Sequence, residues 1–185
     1  MRYRTRRSST KAPILALTLA ILLPVGSSAA GGQVTTVLLA RHAEKNAEAN
    51  DPSLTPEGHA RARELARVVA DAGVVAIYSS QFARTRETAQ PLADLLELPV
   101  KVVPIERERL DKHLAELPRR ILEHHVGQTV LVVGHSNTLP TLIRNLGAAG
   151  APELSDGDYD DLFVVTVAGE GAAQLLHLHF GESSP

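Results

Sequence analysis

The chain has 185 residues, with 19 lysines and arginines against 21 aspartates and glutamates, and it contains no cysteine. The missing cysteine excludes disulfides and any lipid anchor attached through a thiol. Five of the basic residues and none of the acids lie in the first thirty positions, so residues 31–185 hold 14 basic and 21 acidic residues, a net charge of −7. Non-specific nucleic-acid binding depends on clustered cations, and we expect no nucleic-acid partner.

The first thirty residues have the layout of an export signal. A basic start is followed by 13 apolar positions, residues 13–25, and then by the small residues 26–30. Basic, apolar and small residues in this order are typical of a secretory signal peptide. The apolar stretch is shorter than the roughly 20 residues of a membrane span. We therefore expect cleavage after Ala29 or Ala30, no stable membrane insertion afterwards, and a periplasmic or secreted location. An uncleaved anchor is the alternative.

Strands and helices alternate along residues 31–185, which we predict to be a single domain. Buried strands are predicted from short apolar runs, and helices from apolar residues that recur with helical spacing. The predicted strands are residues 37–41, 74–78, 100–103 and 129–133, the predicted helices begin near residues 56, 83, 111 and 139, and residues 162–167 and 172–180 form a hairpin. This order predicts an α/β fold, a three-layer sandwich with a mostly parallel central sheet flanked by helices. The strand order stays open.

Two of the helices carry more detailed predictions. In the first, Thr55 is the expected N-cap and Pro56 the first helical residue. Its expected core-facing stripe is Leu65, Val68, Val69 and Ala72. In the helix of residues 111–125, Pro118 is expected to kink the helix or to restart it.

Polar side chains follow two predicted strands at the point where each strand ends. Arg41 and His42 end the first strand, and residues 134–137 (Gly-His-Ser-Asn) follow the strand of residues 129–133. Arg84 stands at the start of the second helix, where anions are favoured. Ligands of α/β sheets bind outside the carboxyl ends of the strands. A neutral imidazole is a nucleophile near pH 7, and an arginine can donate two hydrogen bonds to adjacent phosphate oxygens. These residues therefore predict a site that attacks a phosphate.

Four blocks of the sequence resemble, in order, the signature blocks of the histidine phosphatase superfamily, the phosphoglycerate mutase-like clan. They are Arg41-His42-Ala43 for Arg-His-Gly, Leu54-Thr55-x-x-Gly58 at a helix start, Ser80-x-x-x-Arg84-x-x-x-Thr88-Ala89, and Gly134-His135. The resemblance implies that His42 is the phosphorylated nucleophile. It also implies that Arg41, Arg84 and His135 form the phosphate pocket and that no metal or other cofactor is required. Ser136 and Asn137 are expected as further substrate contacts.

The sequence departs from the family pattern at two points. Ala43 replaces the signature glycine, which is tolerable if φ is negative there. The acid that protonates the leaving oxygen is a glutamate after the third strand in mutase-type members and an aspartate after the second histidine in phytase-type members. Ser136 occupies the latter place here. Glu106, Glu108 and Asp111 follow the third strand, and Glu106 is nearest in register. Phosphohistidine phosphatases, whose leaving group is already good, manage without such an acid.

The sequence therefore predicts an exported, metal-independent phosphomonoesterase of the histidine acid phosphatase type, with a small phosphorylated substrate or a phosphoprotein as partner. A protein phosphohistidine phosphatase, a mutase, and a non-enzymatic phosphate-binding module on the same fold are the alternatives. The oligomeric state is left open. His177 and His179 suggest a metal site, but neither a cysteine nor a carboxylate stands at a suitable spacing beside them, so no metal site is predicted there.

Overall fold

Six strands and four helices make up the part of the chain that the structure describes. The structure is a computed structural model, and it describes residues 33–47, 50–169 and 172–184. The strands are β1 (Thr35–Arg41), β2 (Val74–Ser79), β3 (Val100–Val102), β4 (Thr129–Gly134), β5 (Asp161–Val167) and β6 (Ala173–His179). The helices are α1 (Pro56–Val69), α2 (Ala83–Leu96), α3 (Leu110–His124) and α4 (Leu139–Asn145), with a 3-10 turn at Arg107–Arg109. The export signal predicted for residues 1–30 lies outside the described residues.

The strands form one sheet in the order β3-β2-β4-β1-β5-β6. The four strands from β3 to β1 are parallel. β5 runs antiparallel to β1, and β6 pairs with β5 as an antiparallel hairpin. The mostly parallel sheet is confirmed, as is the pairing of the last two strands. The order brings β2, β4 and β1 side by side, so their carboxyl ends meet at one edge.

Two hydrophobic cores lie on opposite faces of the sheet, which confirms the predicted three layers. On one face α3 and α4 pack residues such as Leu117, Ile121 and Ile143 against the sheet. On the other face α1 and α2 contribute Leu65 and Leu92. In the described part of the chain no helix has the length and apolar character needed to cross a membrane.

The start of α1 matches its prediction, whereas the predicted stripe is partly wrong. The Thr55 hydroxyl caps the helix by accepting the Gly58 N–H at 3.1 Å. Val68 is 42% exposed, and Ala72 is exposed and lies beyond the end of the helix. The buried residues of the helix are Gly58, Ala62, Leu65, Ala66 and Val69. The core-facing stripe thus has the predicted period, but it lies nearer the helix start and includes small residues.

Pro118 neither kinks α3 into two pieces nor restarts it. The helix runs unbroken from Leu110 to His124. A proline has no N–H to donate, so the carbonyl four residues earlier loses its helical partner. That carbonyl, of Leu114, accepts instead the side-chain amide of Asn145 at 2.8 Å. The contact satisfies the freed acceptor and joins α3 to α4.

A close backbone approach explains the glycine of the Leu-Thr-x-x-Gly block. The Thr55 N–H donates to the Glu44 carbonyl at 2.9 Å, which brings the loop after β1 onto the start of α1. A Cβ atom at Gly58 would lie 2.1 Å from that same carbonyl oxygen. The contact is with backbone, which has little freedom to move aside. Gly58 is therefore required by packing and not by an unusual φ angle.

We expect Gly58→Ala to lower the free energy of unfolding by about 1–3 kcal/mol or more, because the methyl group overlaps the Glu44 carbonyl. Urea unfolding measures the change. Gly169→Ala is the matched control, since a Cβ there meets nothing within 4 Å. Equal stability of the two variants would contradict the packing role of Gly58.

Candidate active site

The carboxyl ends of three neighbouring strands place the predicted histidines side by side. β1 is followed by His42, β4 by His135 and β2 by Ser80. Because β4 lies between β2 and β1, His135 lies between Ser80 and His42. The His42 N–H donates to the Gly134 carbonyl at 3.0 Å, and the two imidazole rings are 5.3 Å apart between centroids. The two histidines predicted from sequence therefore share one site.

His42 is held as a neutral imidazole with one free nitrogen. Its ring is 4% exposed, and Nδ1 lies 2.8 Å from the Ala43 carbonyl oxygen. A carbonyl only accepts hydrogen bonds, so Nδ1 carries the proton and Nε2 keeps its lone pair. Burial lowers the pKa of His42 to about 4, and the charges of Arg41 and Arg84 act in the same direction. At neutral pH His42 is thus an uncharged imidazole with a lone pair on Nε2.

His135 is fixed by hydroxyl groups from the β2–α2 connection. Its Nε2 lies 3.0 Å from the Ser80 hydroxyl, which lies 2.8 Å from the hydroxyl of Thr85. The ring of Phe82 meets it edge-on at 5.5 Å between centroids. Burial lowers the pKa of His135 to about 3, assisted by His42 and by the nearby arginines. This imidazole is also neutral at pH 7.

Arg41 carries a buried positive charge that no carboxylate neutralises within the described residues. The residue is 4% exposed. Its Nη1 donates to the carbonyls of Ser155 at 2.7 Å and Asp158 at 3.1 Å, and its guanidinium lies 4.3 Å from the ring centroid of Tyr159. Its Nε–H is buried and has no hydrogen-bond partner in this part of the chain. Such an unsatisfied cationic donor is suited to an anionic ligand.

Arg84 also has a buried N–H group without a hydrogen-bond partner in the described part of the chain. Its guanidinium lies 4.4 Å from the ring centroid of Phe82, and its Nη1 lies 3.8 Å from the carboxylate of Asp51. The Nε–H is buried and lacks a partner among the described residues. Burial lowers the pKa of Arg84, and the charge of Arg41 lowers it further. The two guanidiniums are therefore close enough for the charge of one to affect the other.

The loop after the nucleophile shows why alanine replaces the signature glycine. Among described non-glycine residues only Glu97 has a positive φ, so φ is negative at Ala43, as its predicted tolerance required. The Ala43 N–H donates to the Thr88 hydroxyl at 2.9 Å. In the next residue, the Glu44 carboxylate binds the Arg61 guanidinium at 2.7 Å. Thr88 of the third block and Arg61 of α1 thus hold the two residues that follow His42.

Three other predicted residues lie around this site without a contact that fixes their role. Ser136 is half-buried and Asn137 is exposed in the turn before α4. Glu106 is exposed, with its carboxylate 3.4 Å from Arg109 Nε and 61% accessible. Their assignment as substrate-binding residues and as general acid stays a prediction.

The structure adds residues to the site that sequence reasoning missed. Ser80 stood inside the third block but received no role. Tyr159 and the carbonyls of Ser155 and Asp158 come from the loop before β5, more than a hundred residues after Arg41. Only the scarcity of tyrosine, three in the whole chain, marked Tyr159 as unusual in a polar loop. No spacing in the sequence indicates a carbonyl partner.

The reason given against a metal site at the last strand is wrong. No carboxylate is close to His177 or His179 in sequence, but the β5–β6 hairpin places Asp161 opposite His179. The Asp161 carboxylate lies 2.5 Å from His177 Nε2. By contrast, His125, which follows His124 directly in the sequence, is buried and bonded to Tyr78 and Gln128.

Comparison with known proteins finds one family model that matches the part of the chain around this site. The model of the histidine phosphatase superfamily (branch 1) matches residues 37–110, a range that contains Arg41, His42 and Arg84. A search of curated proteins gave no match.

Solved structures share the fold at low sequence identity. A mycobacterial glucosyl-3-phosphoglycerate phosphatase is 14% identical, with a TM-score of 0.63 over 81% of this chain and 100% of that one. The phosphohistidine phosphatase SixA of Nakamurella multipartitia, a putative assignment, is 23% identical, with a TM-score of 0.57 over 82% and 99%. A tungstate complex of the protein histidine phosphatase SixA is 20% identical, with a TM-score of 0.62 over 78% and 96%. At these identities the likeness establishes the fold.

The neutral histidines predict a loss of stability in acid. Their pKa values are about 4 and about 3 in the folded protein, against the ordinary histidine value of 6.5. Below pH 6.5 the unfolded chain therefore binds more protons than the folded chain. The free energy of unfolding consequently decreases as the pH is lowered. We expect His135→Asn to flatten this fall by up to about 1.4 kcal/mol per pH unit between pH 6 and pH 4.

Urea unfolding at several pH values, in phosphate-free buffer, measures that slope. The matched control is His59→Asn, at an exposed position on α1. An unchanged slope in His135→Asn would mean that the ring titrates normally in the folded protein.

Proposed function

We propose that this chain, whose residues 37–110 match the model of the histidine phosphatase superfamily, is a phosphomonoester hydrolase of that family that works through a phosphohistidine on His42. One observation carries this proposal: two arginines, whose Nε–H groups are buried and have no partner among the described residues, stand beside a neutral imidazole whose Nε2 is free. A phosphate supplies the missing negative charge and the missing acceptors together. A nucleophile next to it supplies the chemistry.

The guanidiniums bind and orient the phosphoryl group. Phosphoryl transfer leaves charge on three equatorial oxygens, and catalysis consists mainly of positioning the group and stabilising that charge. Arg41 is prevented from swinging away by its two carbonyl contacts and by Tyr159. Its donors are therefore in place before the substrate arrives, which avoids reorganisation during the reaction.

In the first step His42 Nε2 attacks phosphorus, a P–N bond forms and the P–O bond to the leaving group breaks. The leaving oxygen takes a proton from an acid or from water. The phosphorylated ring carries a positive charge, and its Nδ1–H continues to donate to the Ala43 carbonyl. In the second step water attacks phosphorus, the P–N bond breaks, and phosphate leaves with neutral His42 restored. No metal takes part in either step.

The leaving group has a groove beside the phosphate pocket. The groove has a volume of about 920 Å³, and its lining includes Glu44, Arg61, Tyr159 and Glu182. Tyr159 is shared with the site, since its ring lies 6.2 Å from that of His42 between centroids. We propose that the alcohol part of the substrate lies in this charged groove, which suits a polar molecule such as a sugar phosphate.

We expect the purified protein to hydrolyse p-nitrophenyl phosphate in EDTA and to be inhibited by vanadate. His42→Ala removes the nucleophile and should abolish turnover. Arg84→Ala and His135→Ala each remove a group that stabilises the transition state, and should lower kcat/KM on the order of 10²- to 10³-fold. Steady-state kinetics measure these losses.

Rapid-quench labelling with ³²P tests whether an acid-labile phosphohistidine forms. A ³²P-labelled substrate should leave label on the wild-type protein after quenching in base and none on His42→Ala. The control is Arg86→Ala, which removes an exposed arginine of α2, the helix that carries Arg84. Normal phosphate binding without hydrolysis of a broad ester panel would favour the non-enzymatic phosphate-binding module.

A protein phosphohistidine phosphatase is the second candidate function. It is favoured by the exposed position of Glu106, whose carboxylate is paired with Arg109. An imidazole leaving group needs no acid stronger than water, whereas an alkoxide does. Two of the structural neighbours described above are phosphohistidine phosphatases.

Leaving-group dependence separates the two functions. If Glu106 protonates the leaving oxygen, Glu106→Gln should make kcat/KM fall more steeply as the leaving-group pKa rises from aryl to alkyl phosphates. Glu108→Gln is the control, and the same slope in both variants would exclude Glu106 as the acid. A kcat/KM for a phosphohistidine peptide far above that for every ester would establish the second candidate.

We propose further that the protein acts outside the cytoplasm. The basic, apolar and small residues of positions 1–30 support export. A mutase acting on phosphoglycerates fits poorly with this location. Sugar phosphates, envelope phosphates and phosphoproteins are the substrates in keeping with it.

A further inference from the structure

We propose that the β5–β6 hairpin carries a binding site for a divalent transition-metal ion, apart from the catalytic groups. One oxygen of Asp161, one nitrogen of His177 and one nitrogen of His179 lie within 4.8 Å of one another. The carboxylate of Asp160 lies 3.4 Å from His179 Nδ1. Two imidazoles and two carboxylates thus converge at one end of the hairpin.

Strand register explains why these side chains meet. Asp161 is the partner of His179 and Phe163 is the partner of His177 in the antiparallel ladder. Side chains two residues apart on a strand share a face, so both histidines project on the side of Asp161. The His177 ring also packs on Phe163, with 4.5 Å between the ring centroids. The donors are therefore held by backbone pairing and by packing.

The carboxylates of Asp160 and Asp161 favour binding of a cation. The Asp161 side chain is 6% exposed and that of Asp160 is 14% exposed. Within the described residues their ion-pair partners are histidines, and no lysine or arginine pairs with either. A buried carboxylate is costly unless it is paired with a charge or bound to a metal. Two carboxylates and two imidazoles form a donor set that a dication binds.

The donor atoms and their spacing fit zinc-like ions. Imidazole nitrogen and carboxylate oxygen bind Zn²⁺ at about 2.0–2.2 Å in tetrahedral geometry, which sets neighbouring donors about 3.3–3.6 Å apart. His179 Nδ1 lies 3.4 Å from Asp160 and 3.6 Å from Asp161. The shorter contact of 2.5 Å between His177 and Asp161 is a hydrogen bond. An ion replaces its proton and widens that contact by about 1 Å.

Zn²⁺ titration of the full, untagged chain tests the site. We expect one Zn²⁺ to bind, measured by calorimetry after EDTA treatment and dialysis, and to raise the Tm. Co²⁺ should give the visible absorption of a tetrahedral complex. His179→Gln and Asp161→Asn should each weaken binding roughly tenfold or more. His179 is 63% exposed, so its replacement leaves the fold intact.

Two controls locate the ion. His59→Gln removes an exposed histidine elsewhere, and His42→Gln removes the catalytic imidazole; both should bind Zn²⁺ as the wild type does. Loss of binding in His42→Gln with retention in His179→Gln would assign the ion to the active site and overturn the proposal. Failure of Zn²⁺, Co²⁺ and Ni²⁺ to bind would overturn it as well. None of these outcomes depends on whether the protein hydrolyses esters.

Discussion

The buried charge of Arg41 is the constraint on which the site depends. Taking a guanidinium out of water costs several kcal/mol unless an anion compensates it, and no described carboxylate does so. Two carbonyl oxygens and the ring of Tyr159 offset part of that cost. The remainder is recovered when an anion binds. Burial lowers the pKa of His42 most, and the charge of Arg41 lowers it further, so the arginine proposed to bind phosphate also helps to keep the imidazole uncharged.

Backbone contacts place the nucleophile, and the motif glycines make those contacts possible. The N–H of His42 is bonded to Gly134 on β4, and the loop that follows is bonded to α1 through Glu44. A Cβ at Gly58 would meet the Glu44 carbonyl, and one at Gly134 would lie 2.8 Å from the Leu139 side chain. Neither glycine has a positive φ. Gly58 is needed because the backbone at Glu44 approaches it closely, whereas the neighbour of Gly134 is the end of the Leu139 side chain, which can move aside.

Local patterns in the sequence predicted the elements and most of the residues that meet at the site. Apolar runs that end in Arg41, His42 and His135 sufficed, because residues at strand ends are fixed by the strand itself. The error at Val68 arose because the small residue Ala66 was left out of the apolar stripe. The sequence could not predict the carbonyl partners of Arg41 or the carboxylates near His177, because these contacts depend on strand order and on hairpin register. Neither property has a signal in the spacing of one segment.

The hairpin and the phosphate pocket are linked through one loop. Residues 155–159 contact Arg41, and Asp160 and Asp161 follow directly as the carboxylates of the hairpin cluster. Ser184 holds the same segment by accepting the N–H groups of Tyr159 and Asp160. A cation on the two aspartates fixes the end of the loop whose carbonyls orient the guanidinium. Because it touches neither phosphate nor His42, it acts on the position of Arg41 and leaves the phosphoryl transfer itself to the imidazole.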